Sequence, residues 1–285
     1  MATEVTLGDL GFEPTATSPL TAEQCEIVAA ALDAPGSHAH GDELPLLWHW
    51  AHFTPRARTA ALGPDGHPPT PAHLHDRYPR RMWASGEIDA PGRLTVGEPA
   101  ERRSRIVERK ERDGGSGPLL IVTVEHRYVQ RGDAGLVERQ TLVYRTPGGP
   151  VPAPEGDHVP QAGPGGWVER HEPTPVELFR FSAITFNSHR IHYDEAWARD
   201  VEGYPGLVVH GPLTAVRVAA SMERRTGRPL RHFRFRAMSP LFVGSAFHLV
   251  GAVDGDDVSV QVVRNDGAAA MEASGVLGAE AGSTG

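Results

Sequence analysis

Two kinds of hydrophobic pattern follow one another along the chain, first helical spacing and then strand-like alternation. Residues 20–32 carry apolar side chains at helical spacing, and Thr21 with Gln24 three positions later matches an N-terminal capping box. Residues 46–53 form a short aromatic-rich run that predicts a buried helix. Residues 54–76 are rich in proline, glycine and histidine, so we expect a loop there.

From residue 80 to residue 146 the pattern becomes that of β-strands. Residues 119–128 and 136–144 are the clearest cases, because they combine β-branched side chains with partial alternation. Residues 147–166 are rich in proline and glycine and contain few apolar side chains, which predicts a linker. This segment divides the chain nearly in half.

The second half repeats the order of the first, with helical spacing followed by strands. Residues 212–226 predict a long helix, because Pro212 suits its first turn and Gly227 the position after its end. Four strand-like runs follow, at residues 232–238, 246–253, 258–263 and 268–277. The sequence shows no strict repeat, but the shared order of elements indicates a tandem α+β architecture.

The composition narrows the possible partners. A net charge of −8, from 28 basic and 36 acidic residues, argues against nucleic acid and against an anionic membrane surface. The single cysteine, Cys25, excludes an intrachain disulfide and a cysteine-based zinc site. Without an apolar run of about 18 residues or a secretory signal pattern, we expect a cytoplasmic protein.

Residues 181–194 hold the densest group of chemically active side chains. This segment contains Asn187, His189, His192 and Asp194 between apolar residues. Residues 206–212, which include His210 and Gly211, follow shortly afterwards and open the long predicted helix. A lone histidine is usually structural, but two of them beside Asn and Asp make this segment the candidate site.

The segment resembles a known family. Asn-x-x-x-x-His-x-Asp at residues 187–194, followed by Val-His-Gly-Pro at residues 209–212, is similar to MaoC-like hydratases and dehydratases. The segments at residues 45–50, 62–68 and 79–86 resemble the double hot-dog subfamily, which includes mesaconyl-C4-CoA hydratases and mitochondrial-type 3-hydroxyacyl-thioester dehydratases. The resemblance extends from about residue 45 to the last predicted strand.

The resemblance implies a tandem hot-dog fold of class α+β, with two curved antiparallel sheets that each wrap a central helix. It implies a non-catalytic, substrate-binding N-terminal domain at residues 1–146, a linker at residues 147–172, and a catalytic domain at residues 173–285. The implied reaction is the reversible hydration of an enoyl thioester or the dehydration of a 3-hydroxyacyl thioester.

The resemblance also implies roles for individual residues. His192 matches the catalytic histidine, and Gly211 matches the glycine whose N–H binds the thioester oxygen at a helix N-terminus. Asn187 stands where single hot-dog relatives have an aspartate. Since an amide cannot act as a base, His192 would be the main acid and base, with Asn187 positioning water or thioester.

Several other residues are candidates for support or for binding. His189 could share the proton transfer, His210 could hold the turn before the helix, and Asp194 could hydrogen-bond His192 or cap the next helix. Five further residues are candidates for substrate binding, the arginines through phosphate or carboxylate pairing and the tryptophan through the acyl chain: Arg80, Arg81, Trp83, Arg234 and Arg236.

We predict no metal and no cofactor apart from the CoA of the substrate. The histidines at residues 38–40 and 73–76 lie in polar loops without an identifiable further ligand at a suitable spacing. The partner would be an acyl-CoA or acyl-carrier-protein thioester, by resemblance a branched dicarboxylic acyl-CoA of the mesaconyl type, and the protein a homodimer. A non-catalytic thioester-binding protein, a thioester hydrolase and a dehydratase of carrier-bound polyketides stay open as alternatives.

Overall fold

The computed structural model describes residues 5–69, 74, 77–78, 80–114, 117–146 and 149–279. The first half contains helix α1 (Ala22–Leu32). Its strands are β1 (Thr15–Ser18), β2 (Arg80–Asp89), β3 (Ala100–Gly114), β4 (Gly117–Gln130) and β5 (Asp133–Arg145). The strand-rich region that the pattern predicts after residue 80 is therefore confirmed.

The second half contains three α-helices among the described residues, α2 (Pro175–Thr185), α3 (Glu195–Asp200) and α4 (Gly211–Thr226). Its strands are β6 (Trp167–His171), β7 (Leu230–Ala237), β8 (Phe247–Asp254), β9 (Asp257–Arg264) and β10 (Ala269–Leu277). The four predicted strand runs correspond to β7, β8, β9 and β10. Strand β6 lies inside the segment predicted as a linker and pairs with β8.

The two halves share one topology. In the described chain, ten strands form one antiparallel sheet in the order β1-β3-β4-β5-β2-β7-β10-β9-β8-β6. In each half the first strand lies at the outer edge, the second lies at the centre, and the last three fill the space between them. The helix α1 follows β1 as α2 follows β6, and the long helix α4 comes directly before β7. The order of elements is thus repeated in space as well as along the chain.

The centre of the sheet is where the halves meet. Strand β2 pairs antiparallel with β7, with Ser85 opposite Arg236 and Asp89 opposite His232. The two curved sheets predicted from the resemblance therefore join edge to edge into one continuous sheet. This architecture agrees with the predicted tandem hot-dog fold of class α+β, and neither half leaves its central edge unpaired.

Local sequence signals explain the ends of the helices. The Thr21 hydroxyl accepts a hydrogen bond from the Gln24 N–H at 3.3 Å, as the capping box predicts. Helix α4 ends at Gly227 in the left-handed region with φ of 68°. The predicted helix at residues 46–53 is only a single 3₁₀ turn, Trp48–Ala51, entered through Leu47 at φ of 72°.

Helix α4 forms the centre of the second half. It buries Leu213, Val216, Ala219 and Met222 against the sheet, at the spacing of one helix face. Leu249, Val260 and Phe233 belong to the same core. Because this helix is packed through its buried face, its first turn has a defined position.

Among the described residues, no helix is both long enough and apolar enough to cross a membrane.

Candidate active site

A cavity of about 1090 Å³ lies where the two halves face each other, and both contribute side chains to it. The second half supplies Asn187, His189, His192 and Gly211, and the first half supplies a wall of aromatic side chains that includes Trp83. A space of this size can enclose a large part of a small organic ligand. Four of the residues that the sequence singled out in the second half therefore converge on one cavity.

The segment at residues 181–194 changes direction sharply at the end of α2. Phe186 ends the helix in the left-handed region with φ of 52°, and the Asn187 N–H donates to the Ser182 carbonyl at 2.9 Å. A short 3₁₀ turn, Arg190–His192, follows. The reversal brings Asn187 and His192, which are five positions apart, to the same cavity.

His192 has its tautomer fixed by the backbone. Its Nδ1 lies 2.7 Å from the Val208 carbonyl oxygen, which can only accept, so Nδ1 carries the proton. Burial lowers the pKa of His192 to about 3, and the neighbouring His189 contributes to the same shift. The ring is therefore neutral at physiological pH, and Nε2 carries a lone pair that can accept a proton.

His210 lies directly behind His192. The two rings stack with centroids 3.6 Å apart, and the other side of His210 contacts the ring of Phe181. The Ser182 hydroxyl lies 2.9 Å from His210 Nε2. His210 is fully buried and precedes α4 as its N-cap residue. Its position supports the His192 ring and the start of the helix, in keeping with the structural role that the sequence favoured.

Gly211 opens α4 at the edge of the cavity. The first N–H groups of an α-helix lack intrahelical acceptors, and the helix dipole favours negative charge there. Gly211 has no side chain to cover its amide, and a Cβ at this position would lie 3.9 Å from the Trp83 ring. The Val208 carbonyl that orients His192 is only three residues upstream. The short segment at residues 208–211 thus orients the His192 ring and also supplies the Gly211 N–H.

Asn187 faces the cavity as an amide whose oxygen is already used. Its Oδ1 accepts a hydrogen bond from the backbone N–H of His189 at 3.0 Å. The side-chain NH₂ is therefore the group left to donate toward a ligand. This geometry fits a positioning role better than proton transfer.

His189 and His67 form a second layer around His192. The His189 ring lies 5.5 Å from that of His192 and 4.1 Å from that of His67. Burial and the charges of Arg81 and Arg80 lower the pKa of His189 to about 4, and burial with His189 and Arg81 lowers the pKa of His67. Neutral imidazoles beside cationic arginines make this part of the cavity suited to an anion.

The sequence marked residues 62–68 as similar to the subfamily but assigned no role to His67. In the first half, Asp65 accepts the Arg190 N–H through its carbonyl at 2.8 Å, and Gly66 accepts the Ser188 hydroxyl at 2.6 Å. The Pro64 carbonyl also accepts from Arg190 Nη1 at 3.0 Å. We call this segment, residues 63–67, the docking loop. It contacts Ser188 and Arg190 across more than 120 positions of sequence, and a contact over that separation cannot be read from a local pattern.

The predicted binding residues of β2 lie beside the cavity. Trp83 and Arg81 line it, and Arg81 donates to the Leu10 carbonyl at 3.1 Å. Arg80 pairs with the Glu202 carboxylate at 3.2 Å and lines an adjoining polar recess together with Arg81. These arginines place positive charge at one end of the cavity.

Three other candidates lie elsewhere. The carboxylate of Asp194 accepts from the Trp197 N–H at 3.0 Å and from Arg190 Nη2 at 2.6 Å, so it caps α3 rather than contacting His192. Arg234 and Arg236 share one face of β7, as strand alternation requires, but that face is exposed because Phe233 and Phe235 take the buried one. Neither arginine is among the described residues that line the cavity.

Asp65, His67 and His189 could in principle supply three metal ligands, since their ligand atoms lie within 4.8 Å of one another. The charge of Arg81 already lowers the pKa of both histidines and opposes a cation at the same place. The absence of a metal therefore stays a prediction. The histidines at residues 38–40 are described, whereas those at residues 73 and 75 lie outside the described residues.

The buried neutral histidines predict a loss of stability in acid. Unfolding frees His189 and His192 to bind protons near their ordinary pKa of about 6.5, while the folded state resists protonation down to about 4 and about 3. The free energy of unfolding should therefore fall as pH drops below about 6.5, by up to about 1.4 kcal/mol per pH unit for each such histidine. Urea titrations at several pH values measure this slope.

A matched variant isolates one histidine in that experiment. Replacing His192 with glutamine removes one of these groups. The slope of the free energy of unfolding against pH should therefore decrease by nearly the contribution of one bound proton. A stability that stays flat between pH 7 and pH 5, or a slope unchanged by His192→Gln, would contradict the neutral buried state of this ring.

Comparison with known proteins identifies relatives over most of the chain. A family model, hydroxyacyl-thioester dehydratase type 2, matches residues 47–243. The chain is 42% identical over 257 residues to the mesaconyl-C(4)-CoA hydratase of Chloroflexus aurantiacus, covering 90% of this chain and 91% of that protein. It is 36% identical over 86 residues to the mitochondrial hydroxyacyl-thioester dehydratase type 2 of Schizosaccharomyces pombe, covering 29% of this chain and 28% of the yeast protein.

Solved structures share the fold. A MaoC-like dehydratase from Phytophthora capsici matches with a TM-score of 0.69 at 15% identity, over 97% of this chain and 100% of that one. HtdX from Mycobacterium tuberculosis matches with a TM-score of 0.67 at 17% identity, over 93% of this chain and 99% of that one. The fold predicted from the motifs is confirmed.

Proposed function

The chain belongs to the hydroxyacyl-thioester dehydratase type 2 family, and on that premise we propose that it is a hydro-lyase that adds water to enoyl thioesters or removes it from 3-hydroxyacyl thioesters. The observation that carries the proposal is the pairing of a neutral His192, whose Nε2 is free to accept a proton, with the open amide of Gly211 in one cavity.

In the hydration direction, His192 Nε2 takes a proton from water as the oxygen bonds to Cβ of the enoyl group. The electron pair of the double bond moves toward the thioester, whose oxygen gains negative charge. The Gly211 N–H and the dipole of α4 stabilise that charge. The imidazolium then delivers its proton to Cα, and the ring returns to its neutral state.

The neighbours of His192 keep this cycle in place. The Val208 carbonyl holds Nδ1–H, so only Nε2 can exchange protons. With its Oδ1 held by the His189 N–H, Asn187 can donate from its NH₂ to water or to the thioester, a positioning role rather than proton transfer. Burial and the neighbouring His189 lower the pKa of His192 to about 3. A thioester whose oxygen becomes negative would stabilise the protonated ring and raise that pKa during the reaction.

We propose that the substrate is an acyl-CoA, with phosphates received by Arg80 and Arg81, and that no metal or redox cofactor takes part, because the thioester itself acidifies Cα. The relative from Chloroflexus aurantiacus supports a mesaconyl-type acyl group. A cytoplasmic homodimer completes the proposal, and light scattering at defined protein concentration tests the dimer.

An absorbance assay tests the reaction class. We expect purified protein to remove the conjugated enoyl-thioester absorbance of crotonyl-CoA or mesaconyl-C4-CoA and to leave the thioester intact. Release of free thiol, detected with DTNB, would instead indicate a hydrolase. Tight binding without any change of absorbance across a range of chain lengths would indicate a thioester-binding protein and would contradict the proposal.

A further inference from the structure

An arginine lies on the inward face of β3, where strand alternation would place an apolar residue. Ala100, Arg102 and Ser104 occupy this buried face, and the intervening Arg103 is exposed. Arg102 is only 8% exposed, yet it lines the cavity. Its guanidinium packs against the rings of Phe12 and Phe53 at 5.8 Å and 5.7 Å. A permanently charged guanidinium therefore lies buried between aromatic rings.

Glu138, the buried carboxylate that accepts from Tyr128, has its acceptor sites already filled. Glu138 is fully buried, and its Oε2 accepts from His49 Nε2 at 3.0 Å and from the Tyr128 hydroxyl at 2.9 Å. Its Oε1 accepts from the Trp50 Nε1–H at 2.9 Å and from the Gln140 amide at 2.8 Å. A carboxylate offers about four acceptor positions. Glu138 therefore has none left for Arg102.

Arg102 keeps donors without a protein acceptor. Its Nη1 donates to the Phe53 carbonyl at 3.3 Å, and it hydrogen-bonds the Tyr128 hydroxyl, which lowers the pKa of that tyrosine against the effect of burial. Its Nε is buried without a hydrogen-bond partner among the described residues. A buried guanidinium that lacks a direct counter-charge favours an anion in the adjoining space.

The cavity connects this arginine to the reacting centre. Gly211 lies beside the Trp83 ring, whose centroid is 5.0 Å from that of the Trp50 ring. Trp50 in turn donates its Nε1–H to Glu138, the carboxylate that also accepts from Tyr128. The accessible arginines, Arg80 and Arg81, lie at the polar recess near His189. Arg102 is therefore suited to the part of a ligand that goes deepest, beyond the thioester.

We propose that Arg102 is a specificity residue that binds a free carboxylate at the end of the acyl chain, which makes dicarboxylic half-thioesters the preferred substrates. This inference rests on the proposed function and refines it. The planar fork of a guanidinium pairs with a carboxylate through two hydrogen bonds. A neutral acyl end would leave those donors unsatisfied in an apolar enclosure, which is how buried polar sites reject uncharged analogues.

The test compares an acid with its uncharged isostere. Rates are measured with mesaconyl-C4-CoA and with the same skeleton bearing a terminal amide. We expect the protein to prefer the acid by about 30-fold or more in kcat/KM, and Arg102→Gln to lose most of that preference while the rate on the amide changes by less than about threefold. Arg102→Lys should keep part of the preference. The exposed neighbour variant Arg103→Gln is the matched control and should keep all of it.

Two results would overturn the subsite. One is equal use of acid and amide by the unaltered protein, which needs no variant to fold. The other is an Arg102→Gln protein that loses the same factor on both substrates. If no thioester is turned over, calorimetric binding of succinyl-CoA against butyryl-CoA decides the subsite alone: preference for succinyl-CoA supports it and equal affinity overturns it. Failure of the proposed reaction is thereby separated from failure of the subsite.

Discussion

Replacing His192 with alanine should lower kcat/KM for an enoyl thioester by about 10³-fold or more, because general acid–base catalysis by a positioned group typically contributes a factor of about 10² to 10⁴. The variant removes the lone pair on Nε2 that the Val208 carbonyl holds available. The His189 ring lies 5.5 Å away and perpendicular to that of His192, so we expect it to replace little of this function. Steady-state kinetics with crotonyl-CoA measures the change.

A matched control separates catalysis from burial. His171 also has its pKa lowered to about 4 by burial, and it stacks on Phe247 at 5.3 Å, but it lies on the outer strand β6. His171→Ala should therefore keep the rate within about threefold, the range of an indirect effect. Near-normal turnover by His192→Ala would assign the chemistry to another group, even if the reaction class survived.

Replacing Gly66 with alanine should lower the rate by about 100-fold although this residue carries no reactive group, since small displacements of a catalytic segment have effects of that size. Gly66 adopts φ of +87°, and a Cβ there would lie 1.9 Å from the Ser188 carbonyl oxygen. The docking loop would have to move away from the segment that holds His189 and His192. We also expect a loss of about 2–4 kcal/mol in the free energy of unfolding.

Gly36 provides the control for that variant. It has a similar φ of +93°, but a Cβ there meets nothing within 4 Å. Gly36→Ala should therefore show only the conformational cost of about 1 kcal/mol, with an unchanged rate. Kinetics and urea unfolding of both variants make the comparison. Equal effects at the two glycines would mean that docking of the first half onto Ser188 contributes nothing to activity.

Much of the fold could be predicted from the sequence because its signals are local. The capping box at Thr21, the proline and glycine that bound α4, and the alternation in β4 and β5 each act over a few residues. The exception at residues 46–53 has a physical reason. Leu47 takes a left-handed conformation, which keeps residues 46 and 47 out of the helix, and the turn that follows is the single 3₁₀ turn Trp48–Ala51.

The residues of the candidate site fall into two groups, those found from a local motif and those that depend on long-range contacts. His192, Asn187 and Gly211 lie close together in sequence and could be found from their motif. The docking loop and Arg102 contact the same cavity from the other half, and their contribution depends on how the two halves assemble. Arg234 and Arg236 show what a local pattern cannot decide. Alternation correctly placed them on one face of β7, but which face meets the cavity is decided by the neighbouring strands.

Following the oxygen of water into the product tests directly whether the protein hydrates a thioester. Purified protein is incubated with mesaconyl-C4-CoA in ¹⁸O-labelled water, and the products are examined by mass spectrometry. We predict a hydroxyacyl-CoA that carries one labelled oxygen at its hydroxyl group and keeps its thioester, and His192→Ala should form it about 10³-fold more slowly. Label in the carboxylate of a released acid, or an acyl-CoA without label, would contradict the hydration of a thioester at this site.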